Sequence, residues 1–399
     1  MLSNIVVALD VSKDKSFARA YARPGKKLSS SISFRHDPEG FSHFLEFLMK
    51  VEKENGERPD CVLEHTGVYH QVVVSVLQEA GYSVYAVSPL QSSTVRRALN
   101  PKAPKTDALD PDYIATAHFL DRSRMVPHDD RYQRAKLACR AYLEWTNEVR
   151  RIKCRVSRLA SLVWPSIESS GGFTDYQLLV MEAVGTPGQL KSIRLSTVVK
   201  KALKLTDKAS EARLLKAAQG LLNRCVSAVG DDSYAVEDLK QNLAALRQAR
   251  ANTEAALARM KEGAEEELEI LESIPMVGEV TACVLLSEIG DISRFPTPKS
   301  LVSYCGLDPA IMQSGTSSGE HLHITKKGNK ALRQYLYLVV KNMIMHGCDN
   351  RITRFYRHLT DRQKAATPVK VAAVASCAKL ARVIWKLLSS RHMFIALEQ

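Results

Sequence analysis

Three strand-like runs follow one another at the start of the chain, and they limit its folding more tightly than any other feature. Asn4–Leu9 (NIVVAL) is a β-branched apolar run that suits a buried strand. Ser16–Tyr21 and Ser29–Phe34 read as two more, with the turn-forming pair Pro24-Gly25 between them. Helical periodicity then takes over at Pro38–Lys53, through Phe41, Phe44, Leu45 and Leu48. A short strand follows at Cys61–Leu63, a helix at Val68–Ala80 stopped by Gly81, and a strand at Tyr82–Val87. A further helix runs from Thr106 to Leu120. Three strands in succession, then helix, strand, helix, strand, predict a mixed sheet with helices packed on it.

Past residue 130 the pattern turns helical. Arg131–Trp164 ends at Pro165, a Ser/Gly-rich break covers Ser169–Gly172, and weakly patterned sequence reads as helix to Gly230. From Ala235 to Leu271 the chain is clearer. Leu239, Leu243, Leu246, Arg250, Thr253, Leu257, Met260, Ala264, Glu267 and Leu271 alternate four-three, an imperfect heptad seam with Arg250 and Glu267 as its polar defects. A long helix packed on its own domain satisfies that seam, and so does a self-associating coiled coil; either makes an arm between two modules. Ile274–Gly278 is a Pro/Gly turn leading into helical Glu279–Ile289. Two helices around such a turn suit a helix-hairpin-helix, which points backbone N–H groups at a phosphate; an ordinary connection is the plainer alternative. Ser300–Gly306 reads as helix, Leu307–Glu320 as loop, and Lys330–Met345 and Val369–Leu388 as helices. The expected organisation is an α/β domain over 1–125, a basic helical linker and arm over 126–272, and a mainly α domain over 273–399.

Charge narrows the partner. The chain carries 56 Lys+Arg against 43 Asp+Glu, a formal +13, which favours a polyanion, most often nucleic acid. The excess clusters between Arg131 and Arg158, where Arg150, Arg151, Lys153, Arg155 and Arg158 would line a helix as a phosphate-facing stripe; a solvated face is the bland alternative. No stretch approaches the roughly 18–20 uninterrupted apolar residues of a membrane span. The best candidate, Val369–Leu388, is broken by Lys370, Lys379, Arg382 and Lys386. Met1–Leu9 runs into Asp10 and Lys13 without the features of a signal peptide, so a soluble intracellular protein is expected. The eight cysteines form no CxxC pair and are expected to be buried reduced thiols, leaving any metal to oxygen ligands.

The oxygen ligands on offer are acids that end strands or begin a helix. Asp10 ends the first strand, Glu64 ends the strand Cys61–Leu63, and Asp107 and Asp110 stand three apart at a helix start. In open sheets, sites form at the carboxyl ends of strands. Four converging carboxylates would raise one another's pKa unless divalent cations compensated them, and hard oxygen donors suit Mg²⁺ or Mn²⁺, the ions of phosphoryl transfer. Each acid also has a dull role available: Asp10 as a turn residue, Asp107 as a cap after Thr106, Asp110 in a favourable first helical turn.

The order of these acids carries a resemblance. "ALDVSKDK" (Ala8–Lys15), "LEHTGVYH" (Leu63–His70) and "PKTDALD" (Pro104–Asp110) resemble the three acidic motifs of the DEDD insertion-sequence transposases, the insertion sequence one-ten family, related to the Piv and MooV DNA invertases. The glutamate motif, with Thr66, Gly67 and Tyr69, is the most specific of the three. Ile274–Gly315 and "ITKKGNKALRQYLY" (Ile324–Tyr337) resemble that family's second domain. The likeness covers roughly Ile5–Leu120 and Ile274–Leu388 and leaves the middle unmatched. One departure is the pair Pro111-Asp112 after the last aspartate, where the family usually has a small residue; Pro suits a first helical turn, but Asp112 adds a carboxylate that blurs which acids hold metal.

The resemblance implies an RNase H-type, RuvC-like first domain with Asp10, Glu64, Asp107 and Asp110 as its Mg²⁺-binding tetrad. It implies a serine nucleophile in a Ser-Gly loop, here Ser314 and Gly315, although Ser317 and Ser318 lie in the same loop. Lys326, Lys327, Lys330 and Arg333 follow it and would clamp phosphates. The family further implies a recombinase that cuts and rejoins double-stranded DNA in the bacterial cytoplasm, on the nucleoid when active. It works as a homo-tetramer whose subunits share sites, guided by a structured bridge RNA for which Arg131–Arg158 is the candidate surface. Two rivals remain open from the residues: a metal-dependent Holliday-junction nuclease using water instead of serine, and a non-catalytic helix-hairpin-helix binding module.

Overall fold

A computed structural model of the chain describes residues 4–395 apart from 65–68, 100–109, 121–123, 126–129, 166–172, 223–226, 228, 310–312, 315–316, 319–323 and 362–366. Two compact units divide the chain, Met1–Asp130 and Arg131–Gln399.

The first unit runs β1 (Val6–Val11), β2 (Lys15–Arg23), β3 (Lys26–Lys27), β4 (Ile32–Arg35), α1 (Pro38–Asn55), β5 (Asp60–Glu64), α2 (His70–Glu79), β6 (Val84–Val87), α3 (Pro89–Leu99), α4 (Asp110–Leu120) and β7 (Arg124–Met125). The strands form one sheet in the order β3-β2-β1-β5-β6-β7, with β4 also pairing β2. β1 runs antiparallel to β2 and parallel to β5, which is parallel to β6. The mixed sheet expected from the sequence is therefore present. Helix α3 was not foreseen; it opens on Pro89, a residue at home in a first helical turn.

Side chains alternate across the sheet with period two and divide the core between its faces. Val7, Leu9 and Val11 of β1 pack with Phe44 and Leu48 of α1 and Val73 and Leu77 of α2. Val6 and Ala8 point the other way and pack with Tyr21, Val62, Tyr85 and Val87 under Ile114, Ala115 and Ala117 of α4. The same alternation assigns Asp10 and Glu64 to the face that α4 covers. The frame is firmly closed at α1, whose Asp37 side chain accepts from the Gly40 N–H at 2.8 Å and whose chain leaves through Gly56 at φ 71°.

Within the second unit the helices are α5 (Asp130–Val163), α6 (Asp175–Val184), α7 (Pro187–Ser192), α8 (Leu195–Leu203), α9 (Glu211–Leu222), α10 (Tyr234–Lys261), α11 (Glu265–Glu272), α12 (Glu279–Ile289), α13 (Pro298–Tyr304), α14 (Lys330–Met345), α15 (Arg351–Thr360) and α16 (Val369–Ser390). A short hairpin, β8 (Gln313–Ser314) with β9 (Ser317–Ser318), lies before α14. This unit holds two apolar cores. One gathers the last turns of α5, through Val156, Ala160 and Trp164, with α6 to α9 and the first half of α10. The other gathers Cys139 of α5 and Met260 of α10 with α11 to α14 and α16.

The heptad seam resolves into cis packing. Leu239, Leu243 and Leu246 are buried in the first of these cores, and Met260, Ala264 and Leu271 in the second. Its two polar defects are both paired inside the unit, Arg250 with Asp175 at 2.7 Å and Glu267 with Arg131 at 2.9 Å. The single helix expected through Leu271 is instead two, because the chain turns at Gly263 in the left-handed region, φ 65°, where a side chain would be strained. Between α11 and α12 the turn is tight: Ile274 and Val277 are buried while Met276, at φ 64°, is exposed. The segment expected as loop from Leu307 contains the β8–β9 hairpin, and Pro309 pairs with Ile324 at its root. Among the described cysteines Cys61, Cys139, Cys283, Cys305 and Cys377 are buried, but Cys348 is half-buried and Cys154 is exposed on α5, a correction to the expectation of uniformly buried thiols; Cys225 lies outside the described residues. No described helix is long and apolar enough to cross a membrane.

Candidate active site

Asp10 is the next-to-last residue of β1 and Glu64 the last of β5. These strands are parallel with Leu9 opposite Leu63, so the two acids are neighbours across the ladder at its carboxyl end, where paired strands lie about 4.8 Å apart. Both are half-buried. Asp110, also half-buried, is the first residue of α4, the helix that packs on the face to which Asp10 and Glu64 belong. Asp10 and Glu64 thus share one face and one end of the sheet, and Asp110 belongs to the helix that covers that face. Asp107 and residues 65–68 of the glutamate motif, Thr66 and Gly67 included, lie outside the described residues.

Glu64 has a partner the sequence did not reveal. Ser92 of α3, buried, donates its hydroxyl to Glu64 Oε2 at 2.5 Å. Its only local signal is a place in a Ser-Ser-Thr run, which says nothing about a carboxylate 28 residues away. Such an outer partner orients a carboxylate.

Asp112 is placed elsewhere. Arg19 of β2 donates to its Oδ1 at 2.8 Å, Lys27 of β3 reaches Oδ2 at 2.9 Å, and the Tyr21 hydroxyl donates to Oδ1. Burial opposes the carboxylate's charge, but the hydrogen bonds from Tyr21, Lys27 and Arg19 outweigh it and hold the pKa below the ordinary value. Burial and the same carboxylate push the Tyr21 phenol up. The extra acid that blurred the sequence motif is a clamp that ties the first turn of α4 to β2 and β3.

All the donors at this sheet end are carboxylate oxygens, the chemistry that suits a hard divalent cation. Among the described residues no group of three His, Cys, Asp or Glu lies close enough together to hold a metal ion.

In the second unit Ser314 ends β8 opposite Ser317 of β9, and Gly315 lies outside the described residues. Lys326, at φ 53°, and Lys327 are exposed. Arg333, expected to clamp a phosphate, donates Nη1 to the Cys305 carbonyl at 2.9 Å, closing the end of α13. On α5 the apolar residues Ile152, Val156 and Leu159 face the core, and Arg150, Arg151, Lys153, Arg155 and Arg158 are all exposed. The stripe is not uniformly positive: Glu148 pairs with Arg155 at 3.0 Å and Arg151 at 3.5 Å. Exposed Trp145 stands on the same helix.

The first unit carries acids at the carboxyl ends of a mixed sheet, and the second carries an excess of exposed cations, the chemistry that suits handling of nucleic acid. A transposase profile matches residues 7–165, and the profile of the transposase IS116/IS110/IS902 family matches residues 268–357. The chain belongs to that family of transposases. It is 29% identical to an insertion element IS110 protein of Streptomyces coelicolor over 66% of this chain and 67% of that protein. It is 25% identical to a probable family 20 transposase of Pseudomonas aeruginosa over 78% and 79%. A pilin gene-inverting protein of Moraxella bovis is 32% identical over 26% of this chain and 32% of its own length. Among solved structures, RuvC of Thermus thermophilus aligns over 31% of this chain and 99% of its own, with 18% identity and a TM-score of 0.24.

Proposed function

We propose that the chain is a DNA recombinase that cuts and rejoins strands through a serine nucleophile, Ser314, assisted by a Mg²⁺- or Mn²⁺-binding site of Asp10, Glu64, Asp107 and Asp110. The observation that carries this reading is the placement of Asp10 and Glu64 side by side at the carboxyl ends of β1 and β5, with Asp110 opening the helix laid over the same face, in a chain of a transposase family. A divalent cation held there would supply Lewis acidity at a phosphoryl oxygen. Asp107 is the member that completes the set.

Chemically, the Ser314 oxygen forms a bond to phosphorus as one P–O bond of the DNA backbone breaks, leaving a free hydroxyl end and a phosphoserine link. The serine proton leaves as that bond forms, and a carboxylate is the base on offer. Rejoining reverses the step on an exchanged strand and needs no external energy, because an ester bond is kept throughout. Ser92 holds one oxygen of Glu64, and the Asp112 clamp holds the start of α4, so both keep acids in place rather than react. The exposed cations of α5, with Lys326 and Lys327, would hold phosphates of double-stranded donor and target DNA, and the family resemblance extends the reading to a bridge RNA on the α5 stripe and to a homo-tetramer in which subunits share sites.

Incubation of the protein with DNA carrying the ends of its own element, in Mg²⁺, should yield a covalent protein–DNA adduct that survives denaturing electrophoresis. Ser314→Ala should abolish adduct and cleavage, and Asp10→Ala or Glu64→Ala should abolish cleavage. Persistence of cleavage without an adduct in Ser314→Ala would establish water as the nucleophile and overturn the serine reading.

A further inference from the structure

An open recess of about 310 Å³ lies between α14 and α16 at the root of the serine hairpin, within the roughly 300–1,000 Å³ typical of ligand sites. Its floor is apolar, built from Leu307, Ile324 and Val374, and its rim is one side of α14, where Lys330, Gln334 and Tyr337 follow at helical spacing. Leu307 and Ile324 stand on either side of the Ser314 hairpin in sequence, and Pro309 pairs with Ile324, so the recess opens where the two legs of that hairpin meet. Tyr337 is 39% exposed, a large ring only half used by the core. Gln334 is exposed and offers one donor and one acceptor side by side.

The charge around the recess selects its occupant. Among the described residues, the only charged side chains lining it are the cations Lys330 and Arg333, the latter already donating to the Cys305 carbonyl, and neither α14 nor α16 contains an Asp or Glu. A second copy of this surface would be repelled, and a purely apolar ligand would leave the cations unused. A nucleotide satisfies both halves, because it joins a flat stacking ring to an anionic phosphate.

We propose that the recess takes an unstacked DNA base from the strand held at the serine hairpin, with Tyr337 stacking on the ring, Gln334 hydrogen-bonding its edge and Lys330 holding the flanking phosphate. The choice of DNA rests on the reading of Ser314 as the nucleophile. Removing a base from its stack at this point would fix the strand's register beside the phosphate to be attacked.

The test uses the full-length protein and a fluorescent single-stranded DNA, compared with a strand of equal length in which every base is replaced by an abasic sugar. Base-bearing DNA is expected to bind about ten- to a hundredfold more tightly than the abasic strand, the range that stacking of one or two bases gives. Tyr337→Ala should remove most of that preference and Tyr337→Phe should keep it; Tyr337 is exposed enough for both variants to fold, which circular dichroism checks. Photocrosslinking of 5-iodouracil-substituted DNA should map to Tyr337. Equal binding of the two strands by the wild-type protein overturns the proposal. So does a preference confined to RNA of the same sequence, and so does a Tyr337→Ala variant that changes oligomeric mass in light scattering while still discriminating base-bearing from abasic DNA. Ser314→Ala should discriminate as the wild type does, so a failed serine reading shows only in the adduct assay and a failed base site only in this one.

Discussion

Removing the Asp112 carboxylate is the sharpest test of how the sheet end is held together. In Asp112→Ala, Arg19 loses its acceptor while remaining only 14% exposed, and Lys27, 45% exposed, loses an ion partner it can exchange for water. Arg19 Nε is already buried without a hydrogen-bond partner, so little compensation is available on that side. A fully buried broken pair costs about 3–5 kcal/mol and an exposed one about 0–1 kcal/mol. With Asp112 24% exposed, a loss of about 2–3 kcal/mol in the first unit is expected. At the thermal response usual for a unit of this size, the melting transition should fall by on the order of 10 °C. Scanning calorimetry reads that shift, and hydrogen exchange in peptides of α4 localises it. Because the folded pKa lies below the unfolded value of about 3.9, the clamp's contribution is complete above that value and disappears as pH falls through the folded one. The wild type and the variant should therefore differ equally at pH 6 and pH 8 and converge in strong acid. A shift under 2 °C with unchanged exchange in α4 would refute the clamp. If Asp112 held metal instead, the variant would match the wild type without Mg²⁺ and differ only with it.

Ser92→Ala should leave the unit folded but weaken Mg²⁺ binding by about 10–100-fold, read by calorimetric titration, with Ser92→Thr recovering part of the loss. Gly328→Ala should destabilise the second unit by about 1–3 kcal/mol in urea titrations, since its new methyl would sit 2.5 Å from the Gly306 N and the Tyr304 O, backbone atoms that cannot step aside. The double reversal Lys153→Glu with Arg158→Glu should lower the slope of log affinity against log salt by about two for DNA or RNA bound along α5, measured by anisotropy. An unchanged slope would mean that α5 carries no phosphate.

What the sequence revealed and what it hid divide along a physical line. Strands such as Val6–Val11 were legible because a β-branched run has few alternatives, and α1 was legible because an Asp cap, an early proline and a 3.6-residue apolar pattern agree. Asp10, Glu64 and Asp110 could be singled out by their positions at element ends. Their shared face could not be read until β1 and β5 were known to run parallel in register, since a strand's pairing partner is not written in its own residues. Ser92 and Asp112 were opaque for a related reason: each acts through residues 28 to 93 positions away. The long helix was over-read because its heptad spacing continues through Gly263, and the pattern of apolar residues carries no information about a backbone dihedral. The same pattern is blind to partner, so cis burial of the seam and self-association looked alike until Arg250 met Asp175 and Glu267 met Arg131.

The charge of the chain is distributed in a way that bears on how the two units divide the work. Residues 1–130 hold 16 Lys+Arg against 17 Asp+Glu, and residues 131–399 hold 40 against 26, so the whole of the positive excess belongs to the second unit. An acidic sheet end in a nearly neutral unit gains nothing from meeting a polyanion, because Asp10, Glu64 and Asp110 repel phosphate unless a cation stands between them. Under the proposed function, affinity for the nucleic-acid backbone would come from the second unit, on α5, on Lys326 and Lys327, and along α14 and α16, which contain no Asp or Glu. Under the serine reading, the unit that binds the strand also carries the attacking hydroxyl, while the unit that activates the phosphate does little of the holding. Such a separation keeps the acids inert toward DNA at large, since both a bound strand and a loaded acid site must coincide before a phosphodiester can break.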